Sequence, residues 1–343
     1  MSGDTVERPA MTRATLSRVA DDADVSISTV SKVLNGRAGV SEATRRRVEE
    51  LLRDHGYNRR NTPLTVAPLV EVVFSEIDSA WAIEIIAGVE RTARDLDLSM
   101  LITVSGDRHK PSPDWIEGAM RRRPMGVILV FSDLSPDHRH QLRARNIPFV
   151  VVDPSGAPAA DVPSIGTANW SGGYGATRHL VDLGHRDIAI VGGPEDMMCS
   201  TARLSGYRAA LEGAGLDVRA DFIVGTDRFH FDEGLRAGEQ LLDLPRRPTA
   251  IFASSDTQAL GVYEAARRRG IRIPDDLSVV GYDDVNVARW AGPPLTTVRQ
   301  PLAEMAAEAV RLVVRLRDGD QPDHLHVDLE SRLVVRDSTR RLT

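Results

Sequence analysis

Residues 15–35 read TLSRVADDADVSISTVSKVLN, and this stretch decides how the chain is organised. Leu16, Val19 and Ala20 recur at helical spacing. Ser26 is placed to cap a second short helix whose apolar side is Val30, Val33 and Leu34. Only Ala23, Asp24 and Val25 separate the two runs, so the turn is tight. Packing Leu16, Val19, Ala20, Val25, Val30 and Val33 together leaves Ile27, Ser28, Thr29, Ser31, Lys32 and Asn35 outward. A short second helix that presents small hydroxyls and one cation fits a DNA major groove, with Ser and Thr for phosphates or base edges and Lys32 for a guanine or a phosphate. On spacing alone, a three-helix bundle whose Ser and Thr residues are only caps stays open.

Outward from that stretch, a third helix follows Ser41, with Val48, Leu51 and Leu52 on one side and a stop at His55-Gly56. Residues 1–14 are expected to be disordered, 15–57 to form the head and 58–68 a linker punctuated by Pro63 and Pro68. From Leu69 the pattern changes. β-Branched runs such as Val127–Val130, Phe149–Val152, Ile188–Val191, Ala250–Ala253 and Ser278–Gly281 alternate with helical stretches. Such runs suit strands buried on both faces, and the alternation predicts βαβ units in doubly wound parallel sheets. About 270 residues exceed one such sheet, so the body is divided into two lobes. The fold class is therefore α/β: an N-terminal three-helix helix-turn-helix head plus two doubly wound α/β lobes.

Bulk properties exclude other classes. The chain has 343 residues and one cysteine, Cys199, which leaves no disulfide framework. The first residues hold no apolar run of a secretory signal, and no stretch of 18 apolar residues is present, so no membrane partner and a cytoplasmic location are expected. Residues 1–63 carry 11 Lys and Arg against 9 Asp and Glu, whereas the rest carry 32 against 40. The head must therefore gather its cations on one face to hold phosphates. No Gly-x-Ser-x-Gly elbow, phosphate-binding loop or His-Glu-x-x-His appears. Gly192-Gly193-Pro194 lacks the dinucleotide fingerprint. The pairs His138/His140 and His324/His326 read as solvated loops rather than metal ligands. No catalytic residue, metal or cofactor is assigned, and the chain is not expected to be an enzyme.

The pattern Val-Ala-x-x-Ala-x-Val-Ser-x-x-Thr-Val-Ser-x-Val-Leu-Asn, then Val40-Ser41-x-x-Thr44-Arg45 and Gly56-Tyr57, resembles the head of the lactose/galactose repressor (LacI/GalR) family. The resemblance runs to about residue 337. It implies that Ile27, Ser28 and Lys32 read bases, that Thr15, Ser26, Thr29, Ser31, Asn35 and Ser41 bond or approach phosphates, and that Tyr57 lies near the backbone. There are two departures. Asp24 stands where the family has a turn glycine, and the family's hinge helix, whose leucine wedges into the minor groove, meets Pro63 and Pro68 here, with Leu64 or Val66 as the wedge.

For the body the resemblance implies lobes of periplasmic-binding-protein type over residues 69–337, with lobe 1 at about 69–183 and 297–326 and lobe 2 at about 184–296 and 327–337. Ligands in such sheets sit beyond the carboxyl ends of the strands. Sugars need charged or amide groups for hydroxyls and rings for apolar faces. By resemblance, Asp283 accepts from effector hydroxyls, Arg203 donates to the effector, Phe229 stacks on it, and Ser255 stands where many relatives have asparagine. Trp170, Ser171, Gln300 and Trp81 complete the candidate site, while Asp284 is placed to cap the next helix. The implied partners are a palindromic double-stranded DNA operator, a small sugar or oligosaccharide effector and a second copy in a homodimer. The body wording looks like actinobacterial regulators of sugar utilisation. A corepressor-type regulator of the same family, or a sugar-binding protein without DNA activity, is the alternative.

Overall fold

The computed structural model describes residues 16–34, 39–54, 67–106, 112, 114–131, 134–320 and 322–342. They fall into two compact units, residues 1–67 with 134–147 and residues 68–133 with 148–343.

In the first unit, α1 (Leu16–Ala23), α2 (Ile27–Leu34) and α3 (Glu42–Asp54) close around Val19, Ala20, Ala23, Val30, Val33 and Val48. Asp24 ends α1 in the left-handed region, at φ 56°. The Val25 N–H donates to the Ala20 carbonyl at 3.0 Å and the Asp24 N–H to the Asp21 carbonyl at 3.2 Å. These paired bonds close a helix whose next residue is left-handed. Asp24 thus fills the glycine's role, at about 1 kcal/mol. Ser26 and Ser41 each accept a backbone N–H three residues on, from Thr29 and Thr44, both at 3.2 Å. The same unit holds α6 (Pro136–Ala144), where His138 and His140 lie on a helix and not in a solvated loop. Arg45 Nη1 is 2.9 Å from His140 Nε2.

The second unit begins with β1 (Ala67–Phe74), α4 (Ala80–Asp95), β2 (Ser99–Val104), α5 (Asp114–Arg122), β3 (Pro124–Val130), β4 (Phe149–Val152) and β5 (Ser164–Thr167). The chain then builds α7 (Asn169–Asp182), β6 (Ile188–Val191), α8 (Met198–Gly213), β7 (Ile223–Val224), α9 (Phe231–Leu242), β8 (Ala250–Ala253), α10 (Asp256–Arg268), β9 (Ser278–Asp283), α11 (Asn286–Trp290) and β10 (Thr296–Arg299). It returns for α12 (Leu302–Arg317) and β11 (His326–Leu329), and ends with β12 (Arg332–Val334). The two sheets run β11-β5-β4-β3-β1-β2 and β12-β10-β9-β8-β6-β7. β12 pairs antiparallel with β10, whereas β9 pairs parallel with both β8 and β10.

Sheet membership moves the lobe boundaries from those expected. β1 starts at Ala67, inside the expected linker; Pro68 lacks an N–H and is tolerated because it stands next to the start of the strand. Residues 297–299 belong to the second sheet, since β10 pairs with β9. Residues 327–329 belong to the first, since β11 pairs with β5. α7, expected in lobe 1, packs on lobe 2, its Ala176 and Leu180 sharing a core with Tyr207, Phe252 and Tyr282. The chain thus crosses between lobes three times, near residues 168, 300 and 330. Hydrogen bonds lace these crossings: Thr167 Oγ1 donates to Gln300 Oε1 at 2.8 Å, Ala168 N to the Leu329 carbonyl at 2.9 Å, and Ser331 Oγ to the Ala168 carbonyl at 3.2 Å.

Candidate functional site

On the head, burying Val30 and Val33 turns the opposite side of α2 to solvent. Ile27 is 51% exposed, large for an isoleucine, and Ser28 and Lys32 are exposed beside it. Thr29 and Ser31 are half-buried at its edge. Ser26 Oγ lies 2.7 Å from Ser28 Oγ and 2.9 Å from Thr29 Oγ1, so three hydroxyls cluster at the N-terminus of α2, where backbone N–H groups favour an anion. Ser41 is exposed and bonds Thr44 Oγ1 at 2.7 Å. Thr15, Asn35, Tyr57 and Leu64 lie outside the described residues, as do residues 1–14 and the core of the expected hinge.

In the body, a cleft of about 820 Å³, open solvent included, lies between the lobes at the carboxyl ends of the strands. Trp81, Arg203, Phe229, Ser255, Asp283 and Gln300 all line it. Three strand ends at this side bend: Phe131 after β3 has φ 48° and Asp283, closing β9, has φ 113°, both lining the cleft, and Asp153 after β4 has φ 49°. Each is a backbone conformation that non-glycine residues rarely adopt, and such strain gathers at functional positions.

Arg203 is set by a close crossing of α7 and α8. A Cβ on Gly173 would stand 2.3 Å from the Arg203 carbonyl, and one on Gly206 would stand 2.2 Å from the Trp170 carbonyl. Bare glycines let the helices touch at this point. Arg203 Nε then donates to Asn169 Oδ1 and Nη1 to the Ser254 carbonyl, both at 2.8 Å. Its guanidinium lies over the Tyr282 ring at 3.8 Å and the Phe229 ring at 5.6 Å, which offsets part of its burial.

Asp283 Oδ1 accepts from Gln300 Nε2 at 2.6 Å. Burial pushes its carboxyl up to about 7, although Arg203 and the Gln300 bond oppose this. Burial pushes Asp153 up to about 6, again against Arg203, and its Oδ2 has no partner among the described residues. Beneath them Asp256 holds the loop after β9, accepting from the Val285 N–H at 2.9 Å and from Thr297 Oγ1 at 2.5 Å. Trp81 packs against Phe131 at 4.4 Å between ring centroids, and its buried Nε1 is likewise unpartnered among the described residues. Ser255 Oγ caps α10 by accepting from the Gln258 N–H at 3.1 Å. Cys199, which also lines the cleft, is buried, which pushes its thiol up to about 12.

Two expected residues do not reach the cleft. α7 starts at Asn169 and turns that residue inward to Arg203, so Trp170 and Ser171 face solvent. Trp170 is 45% exposed and stacks on Tyr174 one turn later, at 5.3 Å. Asp284 does not cap α11, because Arg299 and Arg336 take its carboxylate. Phe131, in the cleft lining, Asn169, which holds Arg203, and the buried Asp153 were missed. Asp153 and Phe131 follow apolar runs directly, a signal that was available; Asn169 was hidden by the unknown start of its helix.

A head that offers a reading helix and a body that offers a two-lobed ligand cleft together define a DNA-binding transcriptional regulator. Residues 15–60 match the family described as bacterial regulatory proteins, lacI family, and residues 177–339 match the periplasmic binding protein-like domain. The chain is 35% identical over 340 residues to the HTH-type transcriptional repressor CytR of Escherichia coli (strain K12), covering 96% of this chain and 98% of that one. Among solved structures, it is similar to the transcriptional regulator CelR–cellobiose complex, with TM-score 0.72, 33% identity, and 95% and 100% of the two chains covered. It is also similar to the lac repressor dimer bound to operator and the anti-inducer ONPF, with TM-score 0.71, 26% identity, and 96% and 100% covered. The chain belongs to the LacI family of transcriptional regulators.

Proposed function

We propose that the protein represses sugar-utilisation genes: a homodimer holds a palindromic operator in the cytoplasm, and a small sugar or oligosaccharide in the cleft releases it. The observation that carries this is the pairing of Asp283, Arg203 and Gln300 with the rings of Trp81, Phe131 and Phe229 around one cleft. Carboxylate, guanidinium and amide match adjacent hydroxyls, and rings cover the apolar face of a sugar. The relative solved with cellobiose supports the ligand class.

On the head, Ile27, Ser28 and Lys32 read bases, while Ser26, Thr29, Ser31 and Ser41 contact phosphates; Thr15, Asn35, Tyr57 and Leu64 join them on the family pattern. The effector prefers one arrangement of the lobes and so shifts the population of DNA-competent dimers. Residues 15–57 act as the DNA-binding domain and 69–337 as the effector domain, and no catalytic step is assigned to either. None of the helices among the described residues is long and apolar enough to cross a membrane.

The test is an anisotropy titration of a labelled palindromic operator at fixed salt, with a panel of sugars. One sugar that weakens binding supports induction and names the effector. A sugar that tightens binding replaces induction with corepression. No operator binding at low salt overturns the reading.

A further inference from the structure

We infer that Glu76, Asp78 and His230 form a divalent transition-metal site, of the kind Zn2+ takes, that ties the two lobes together at the mouth of the cleft. Glu76 and Asp78 stand on the loop between β1 and α4 in one lobe, and His230 immediately precedes α9 in the other. Some 150 residues separate them, so no sequence motif announces the group.

His230 Nε2 is 3.8 Å from Glu76 Oε1 and 3.7 Å from Asp78 Oδ1, and all three ligand atoms lie within 4.8 Å of one another. These separations are too long for hydrogen bonds, so the imidazole and carboxylates do not satisfy each other directly. They are close to the edge of a tetrahedron around a metal with bonds of about 2.1 Å, roughly 3.4 Å, and a shift of a few tenths of an ångström closes the difference. One imidazole and two carboxylates make a donor set suited to Zn2+.

Among the described residues, the recorded side-chain polar contacts of the three are with one another. His230 precedes α9 without making a side-chain cap bond. Among the described residues neither carboxylate accepts a hydrogen bond, and Arg228, which lines the same cleft, bonds neither. Two carboxylates from one lobe thus converge on the imidazole of the other. Glu76 and His230 also line the cleft, so the remaining coordination position opens toward the ligand space, where water or a ligand hydroxyl completes it.

An ion held by both lobes stabilises only the arrangement that brings them together. If the cleft takes an effector as proposed above, metal and effector strengthen each other's binding by the same factor. Metal binding itself does not rest on that reading.

The test uses full-length protein stripped with chelator, without DNA or sugar. Calorimetric titration with Zn2+ is expected to show one ion per chain, weakened about tenfold or more in His230→Ala and in Glu76→Gln. Equal melting temperatures of parent and variants in chelator show that the variants fold. Hydrogen exchange then reads the tie: Zn2+ slows exchange in residues 75–79 and at the start of α9 together, and at neither in His230→Ala. No Zn2+ uptake at submillimolar concentration, or variants that bind as the parent does, overturns the site. Slowing on one side only overturns the tie between lobes. A failure to bind operator or sugars leaves all these readings intact and counts against the proposed function alone.

Discussion

At the scale of single residues, the buried carboxyls of Asp283, which lines the cleft, and of Asp153 are expected to make the protein sensitive to pH. Asp283 and Asp153 are held at about 7 and about 6, above the usual carboxylate range near 3.9, chiefly by burial. A carboxyl raised on folding contributes stability that is complete below the unfolded value and is lost as pH climbs through the folded one. The effector-free protein is therefore expected to lose stability from about pH 4 to about pH 7, and Asp283→Asn to flatten that slope in thermal melts. If effector hydroxyls donate to ionised Asp283, as proposed above, the sign reverses for binding. Affinity for an identified effector should rise about tenfold between pH 6 and pH 8, following the ionised fraction, with proton release in calorimetry. Asp283→Asn should abolish this rise. In the head, Asp24→Gly removes the left-handed strain of α1 and is expected to stabilise it by up to about 1 kcal/mol in urea unfolding, with operator affinity unchanged.

At the scale of elements, α2 and the crossing of α7 and α8 are each expected to carry one function. Lys32 is exposed on α2 beside Ile27 and Ser28, so Lys32→Ala should leave the melting temperature unchanged and weaken operator binding. A uniform loss across sequences, with the salt slope reduced by about one, marks a phosphate contact; a loss at one base position marks readout. Gly206→Ala forces a methyl group against the backbone of α7. It is expected to cost about 1–3 kcal/mol in chemical unfolding and to weaken effector binding, because the separation that sets Arg203 is the one disturbed. Gly173→Ala should do the same. The same change at Gly213, with open space around its Cβ position, should do neither.

At the scale of the whole molecule, the head and the body contribute different activities. Deleting residues 1–63 is expected to abolish operator binding and to preserve effector binding by calorimetry. Loss of both would show that the body does not stand alone. Coupling between lobes is expected to pass through the three laced crossings. Thr167→Val removes the donor to Gln300, which in turn orients Asp283. Its expected signature is a changed ratio of operator affinities with and without effector, larger than the change in operator affinity alone.

The sequence by itself determined the head, the alternation of strands and helices, the division into two lobes and most of the cleft list. The first three rest on local information, helical spacing in residues 16–34 and β-branched runs, while the cleft list rests on the family resemblance together with the rule that ligands sit past strand ends. Six of eight expected effector residues line the cleft, Asp283, Arg203, Phe229 and Ser255 among them having been placed by the family resemblance. Tertiary structure alone decided the rest. The boundaries near residues 168, 300 and 330 depend on which sheet each short strand joins, and a four-residue strand carries no mark of its neighbours. Trp170 and Ser171 fall outside the cleft because the first turn of α7 begins at Asn169, and the helix phase decides which side chain points inward. The grouping of Glu76 and Asp78 with His230 exists only once the two lobes face each other, since no local signal relates residues so far apart in the chain.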